Sequence, residues 1–214
     1  MNKQGSRGRA WGFGILAVLA VVVGLYALAF YGSPDGVKEQ PFSMEKGSMP
    51  SLWYSVLWAH AVSAGVAIGI GWLQFVKRIR QRLPQFHRII GYAYSVMLII
   101  ASFTGLYLAF YSDGGLSGHI GFSALSLMWL YTLYRALKSI IADRQPIAHG
   151  NWMTRNYALT CAAITLRIYT ALAGALFGLD DTDDTFTVIA WLCWVPNLFV
   201  AEMIISRRII ARHR

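Results

Sequence analysis

The stretch HAVSAGVAIGIGWLQFVKRIRQRLPQFHRIIGYAYSVMLII (60–100) decides the fold. It runs apolar to Phe75, turns basic from Lys77 to Arg88 around Pro84, and then becomes apolar again. A soluble helix would show an apolar stripe every three or four residues, whereas these blocks are apolar all round. Working outward, six such blocks appear, at about 11–31, 53–76, 90–111, 118–137, 156–178 and 185–206. Each approaches the roughly 20 helical residues that cross a hydrocarbon core. Only 14% of the chain is charged, against about a quarter in soluble domains. A backbone in lipid must satisfy its own hydrogen bonds, which selects helices here. The expected fold is all-α: one integral membrane domain over residues 1–214, a polytopic bundle of six transmembrane helices.

The net charge of +9 could suggest nucleic acid, but its placement argues against that. Sixteen Lys and Arg residues fall before the first block, in the segments after the second and fourth, and after the sixth. The opposite segments hold only Lys38 and Lys46, and the loop 180–184 is acidic. This asymmetry marks the basic side as cytoplasmic, with both termini inside. The partner implied is the lipid bilayer, whose anionic head groups attract basic loops. Ala27-Leu28-Ala29 resembles a signal-cleavage pattern, yet the run from Trp11 to Tyr31 is longer than a signal core. Cys161 and Cys193 lie within spans and read as small packing residues. The outward segment 32–51 reads as flexible.

Four of the five histidines sit at the ends of successive spans and alternate sides: His60, His87, His119 and His149. His213 is left over in the basic tail. Counting about 1.5 Å per residue puts His60 and His119 level within about a turn near the outer boundary. His87 and His149 fall on the inner side, His149 joining that layer only if its helix starts early. Neutral imidazole is a common ligand of haem iron and metals. The pattern predicts two facing pairs, His60 with His119 and His87 with His149. The small residues between Ala61 and Gly71, and Gly91, would leave a slot for a flat macrocycle. The plainer role of small residues in a span is helix packing, and a lone histidine at a membrane edge is usually just wetted.

Arg167 lies mid-span, level with Asn197 and about 7 Å from the level of Glu202. Intramembrane ions generally pair or face the bundle interior, so an Arg167–Asn197–Glu202 brace is expected. Alternatively, Arg167 would bind the cofactor by neutralising a haem propionate. No broken-helix pair, the hallmark of midplane transport sites, is clear in the sequence.

The segments HRIIGYAY (87–94), IAHGNWMTRNYAL (147–159) and WVPNLFVAE (194–202) resemble the bacterial membrane-protein family catalogued as domain of unknown function 2306. That resemblance implies a fold and a bacterial inner-membrane location more than a reaction. A looser resemblance is to the cytochrome b561 group, six-span proteins whose four central helices hold two haems. It implies two haem b groups with His60, His119, His87 and His149 as axial ligands. The expected function is therefore di-haem transmembrane electron transfer, with a quinone or a redox protein as partner. As an enzyme the chain would be a transmembrane oxidoreductase. The alternatives are a proton-coupled transporter and an assembly protein without cofactor.

Overall fold

The computed structural model describes residues 3–178 and 183–211; most of the acidic loop, at 180–182, and His213 lie outside them. Every regular element among the described residues is helical: α1 (Lys3–Tyr31), α2 (Pro34–Lys38), α3 (Pro41–Glu45), α4 (Ser51–Gly71), α5 (Lys77–Arg82), α6 (Pro84–Ala109), α7 (Gly115–Ile141), α8 (Pro146–Thr160), α9 (Ala162–Phe177), α10 (Asp183–Leu192) and α11 (Val195–Ile210). A 3-10 turn, Trp72–Phe75, extends α4. Among the described residues, five stretches are long and apolar enough to cross a membrane: Ala10–Tyr31, Ser51–Phe75, Pro84–Ala109, Pro146–Leu176 and Thr185–Ile210. The remaining expected span, α7, has 27 residues but falls outside that group. Its Gly, Ser and Thr residues, with His119, Arg135 and Lys138, dilute its apolar character.

Prolines set where the helices begin. Pro84 and Pro146 each occupy the first turn of their helix, where a missing N–H costs nothing and the fixed φ already suits the helix. The third and fifth spans thus start earlier than their apolar blocks do. In the sixth, Pro196 follows a break at Cys193 and Trp194, as expected where proline removes a ladder bond.

Helices α4, α6, α7 and α8 form a ring in which α4 packs on α6, α6 on α7, α7 on α8 and α8 on α4. The diagonals are therefore α4 with α7 and α6 with α8. Their shared core is built on Ile68, Tyr94, Leu98, Trp129, Leu133 and Tyr157. α1 lies outside α4 at a glycine seam: a Cβ on Gly24 would stand 2.8 Å from the Gly65 carbonyl oxygen. α10 packs on α7 and α11 on α8.

At one end of the bundle, His87 lies within electrostatic range of both Arg80 and His149, so the 77–83 and 142–149 segments share that end. At the other end, Lys46 donates to the Tyr111 carbonyl (2.8 Å) and to Asp113 (2.5 Å). Thr187 reaches the Gly114 carbonyl there at 3.2 Å. The segment expected to be flexible, 32–51, instead carries α2 and α3. Ser33 caps α2 by accepting from Gly36 N–H at 3.0 Å. Fully buried Val37 and Trp53 anchor a small second core there, with Phe42, Tyr54, Trp58 and Tyr107 around them.

Candidate functional site

The four histidines fall into two unlike layers. His87 sits in the first turn of α6, where its carbonyl accepts from Gln74 Nε2 at 3.2 Å. Its Nδ1 is buried without a hydrogen-bond partner. His149 sits in the first turn of α8, because that helix begins at Pro146. Its Nδ1 lies 2.8 Å from the Ala136 carbonyl. A carbonyl can only accept, so this contact assigns the proton to Nδ1 and leaves Nε2 with the lone pair. The two imidazoles thus occupy one end of the bundle on diagonally opposed helices, within electrostatic range of each other.

The other pair differs. His60 Nδ1 meets the Ala101 carbonyl at 2.9 Å and Thr104 Oγ1 at 3.3 Å, so its tautomer is fixed in the same way. Its ring lies against Gly105, where an added Cβ would be 3.0 Å from Cε1 and 3.1 Å from Ser126 Oγ. Ser126 follows His119 by seven residues on α7, about 10 Å along the axis. His119 turns the opposite way, its Nε2 donating to the Ser112 carbonyl at 3.1 Å in the end turn. The structure therefore does not bring His60 and His119 to one level. α4 starts at Ser51 and α7 at Gly115, so His60 lies nine residues into its helix and His119 only four, which sets His60 deeper.

The small residues serve packing. Gly65 faces Ala27 of α1, where a Cβ would come within 2.8 Å of the Ala27 side chain, and Gly71 admits the rings of Tyr94 and Tyr157. The space beside Gly91 holds the Gln74 carboxamide, its oxygen 3.6 Å from where a Cβ would sit. The expected brace is also reassigned. Arg155 pairs with Glu202 through Nε at 2.5 Å and Nη2 at 2.8 Å. Asn197 donates to Thr165 Oγ1 (3.1 Å) and to the Cys193 carbonyl (3.0 Å). Arg167 donates to the Ala163 carbonyl at 2.8 Å and stacks 5.2 Å from the Tyr26 ring centroid. It lies within electrostatic range of His60, far along the chain from the inner layer.

Between the layers lies a polar cluster that sequence reasoning missed. Tyr94 OH donates to Asn156 Oδ1 at 2.7 Å and sits 2.8 Å from Thr160 Oγ1. Asn156 Nδ2 donates to the Trp129 carbonyl and to Thr132 Oγ1, both at 2.9 Å. Trp129 Nε1 donates to Thr160 Oγ1 at 2.9 Å. Tyr94 and Asn156 are wholly buried. Their signal was spacing: Tyr94 follows His87, and Asn156 follows His149, by seven residues, two turns on one helix face.

The breaks in the last two spans meet. Thr165, one turn past the hitch at Cys161, donates to the Cys193 carbonyl, which Asn197 also caps. The sequence showed no such pair.

Fold and interior together define a multi-pass helical membrane protein with a polar, histidine-bearing core. The chain belongs to the family described as "Predicted membrane protein (DUF2306)", whose model matches residues 57–205, more than half of it. No curated protein and no solved structure matches it. The matched region contains all four histidines and the Tyr94–Asn156 cluster, and excludes α1, α2 and α3.

Proposed function

We propose that this protein is a redox protein of the bacterial inner membrane that holds one b-type haem between His87 and His149. The basic-loop end faces the cytoplasm in this reading, as the charge asymmetry requires. The observation that carries it is the buried, partnerless Nδ1 of His87 across the bundle from an imidazole whose tautomer is already set. Buried polar nitrogens are rarely left unpaired. A ligating histidine commonly donates its other N–H to a carbonyl, as His149 does to Ala136. Haem there would supply one-electron transfer. The chain's own groups would hold it: His87 and His149 through their ring nitrogens, with Arg80, which acts electrostatically on His87, as a cation for acidic groups nearby. A quinone or a redox protein is the electron partner. One haem is proposed rather than two because His60 and His119 differ in level by about two turns. Protein purified from haem-sufficient cells should show a reduced-minus-oxidised b-type spectrum, and colourless protein would overturn the proposal.

The joined breaks at Cys161 and Cys193 favour a second reading, a proton-coupled transporter, since broken helices build midplane transport sites. Here Thr165 and Asn197 occupy the Cys193 carbonyl. Flux in proteoliposomes that depends on Asn197, from protein without haem, would select the transporter. A haem-free protein with no flux would leave the assembly role.

A further inference from the structure

Trp152, on α8, lies between two guanidinium groups, Arg135 at 4.4 Å and Arg155 at 4.5 Å from its ring centroid. Their charges are handled differently. Arg155 is neutralised by Glu202 through two hydrogen bonds. Arg135 donates one N–H to Tyr131 OH at 2.7 Å and stacks 5.7 Å from the Tyr131 ring. Among the described residues, no carboxylate lies within ion-pair distance of Arg135, whereas Lys38, Lys46, Lys138 and Arg155 each have one. A guanidinium has five N–H donors, and most of those on Arg135 are not used within the protein.

The position of this cation is informative. Arg135 lies 20 residues beyond Gly115, at the start of α7, hence about 30 Å along the helix axis. That equals the thickness of a bilayer's hydrocarbon core and puts Arg135 at head-group level at the basic end. Tyr131 is 44% exposed, so this face looks outward rather than into the bundle. Stacking on Trp152 and the bond to Tyr131 hold the guanidinium flat and pre-ordered. A planar fork of that kind suits phosphate oxygens.

We infer that Arg135, set by Trp152 and Tyr131, binds the phosphate of an anionic phospholipid from the leaflet at the basic end. The unneutralised charge selects an anionic over a zwitterionic head group, and the two aromatic rings sit where interfacial rings prefer to lie.

Native mass spectrometry of the full-length protein with added phosphatidylglycerol or phosphatidylcholine tests this. The wild type should retain phosphatidylglycerol over phosphatidylcholine by about fivefold, the ratio that one interfacial basic residue supplies. R135Q should erase that preference, and R135K, which keeps the charge but loses the planar fork, should keep part of it. K138Q, altered at a lysine paired with Asp143, should bind as the wild type does. Equal losses in R135Q and K138Q would overturn the site in favour of diffuse attraction. Displacement of phosphatidylglycerol by millimolar inorganic phosphate would overturn the lipid as its occupant. An unchanged preference in both R135Q and R135K would overturn it as well.

Discussion

The two histidine layers look alike in sequence and unlike in space. His87 and His149 both stand in the first turn of a helix opened by proline, at the same end, on a diagonal of the four-helix ring. His60 and His119 also stand on a diagonal, but His60 is hydrogen-bonded beside Gly105 and Ser126 while His119 folds back to Ser112. Equal spacing from a span's end does not give equal depth. Depth depends on where each helix starts, and proline stands at the start of both helices only in the inner pair; in the other, Pro50 precedes α4 but none precedes α7.

The sharpest way to break this contrast is to remove one ligand from each layer. His149→Ala is expected to abolish bound haem, and His60→Ala to leave the haem-to-protein ratio unchanged, as read by absorbance of the purified variants. Equal loss in both would merge the layers again.

A smaller effect is expected in the cluster that separates them. Asn156→Leu removes one hydrogen-bond partner each from Tyr94, Thr132 and the Trp129 carbonyl inside the bundle, leaving each with its other partner. Losing three buried bonds should cost about 2 kcal/mol, checked by unfolding in detergent. A change within error would mean that the cluster is not needed to hold α6, α7 and α8 together.

The smallest effect concerns the Arg155–Glu202 pair at the basic end, whose carboxylate side chain is 48% exposed. Glu202→Gln should cost less than about 1 kcal/mol and become neutral at high salt, as exposed ion pairs do. A larger, salt-independent loss would mean that Glu202 has a buried partner, as the expected brace with Arg167 required.

What the sequence made legible follows from bulk properties. Long apolar blocks and sixteen basic residues on alternate segments were enough for a membrane bundle whose 77–83 and 142–149 segments share an end. Pairing was not legible, because it depends on neighbours in space. The residue count puts Arg167 within about 7 Å of the level of Glu202, yet Arg155 pairs with Glu202 and Tyr26 of α1 receives Arg167. The glycines after His60 suit a macrocycle or a helix equally well, and α1 takes Gly65. Tyr94, Asn156 and Thr160 were passed over because each alone reads as an ordinary polar residue. Only the ring of α6, α7 and α8 makes them one network.

The most direct test of the central claim is the haem stoichiometry of the wild-type protein, purified from haem-sufficient cells and assayed against protein concentration. One b-type haem per chain is the result predicted here. Two haems would restore His60 and His119 as a ligand pair, and none would contradict the redox function altogether.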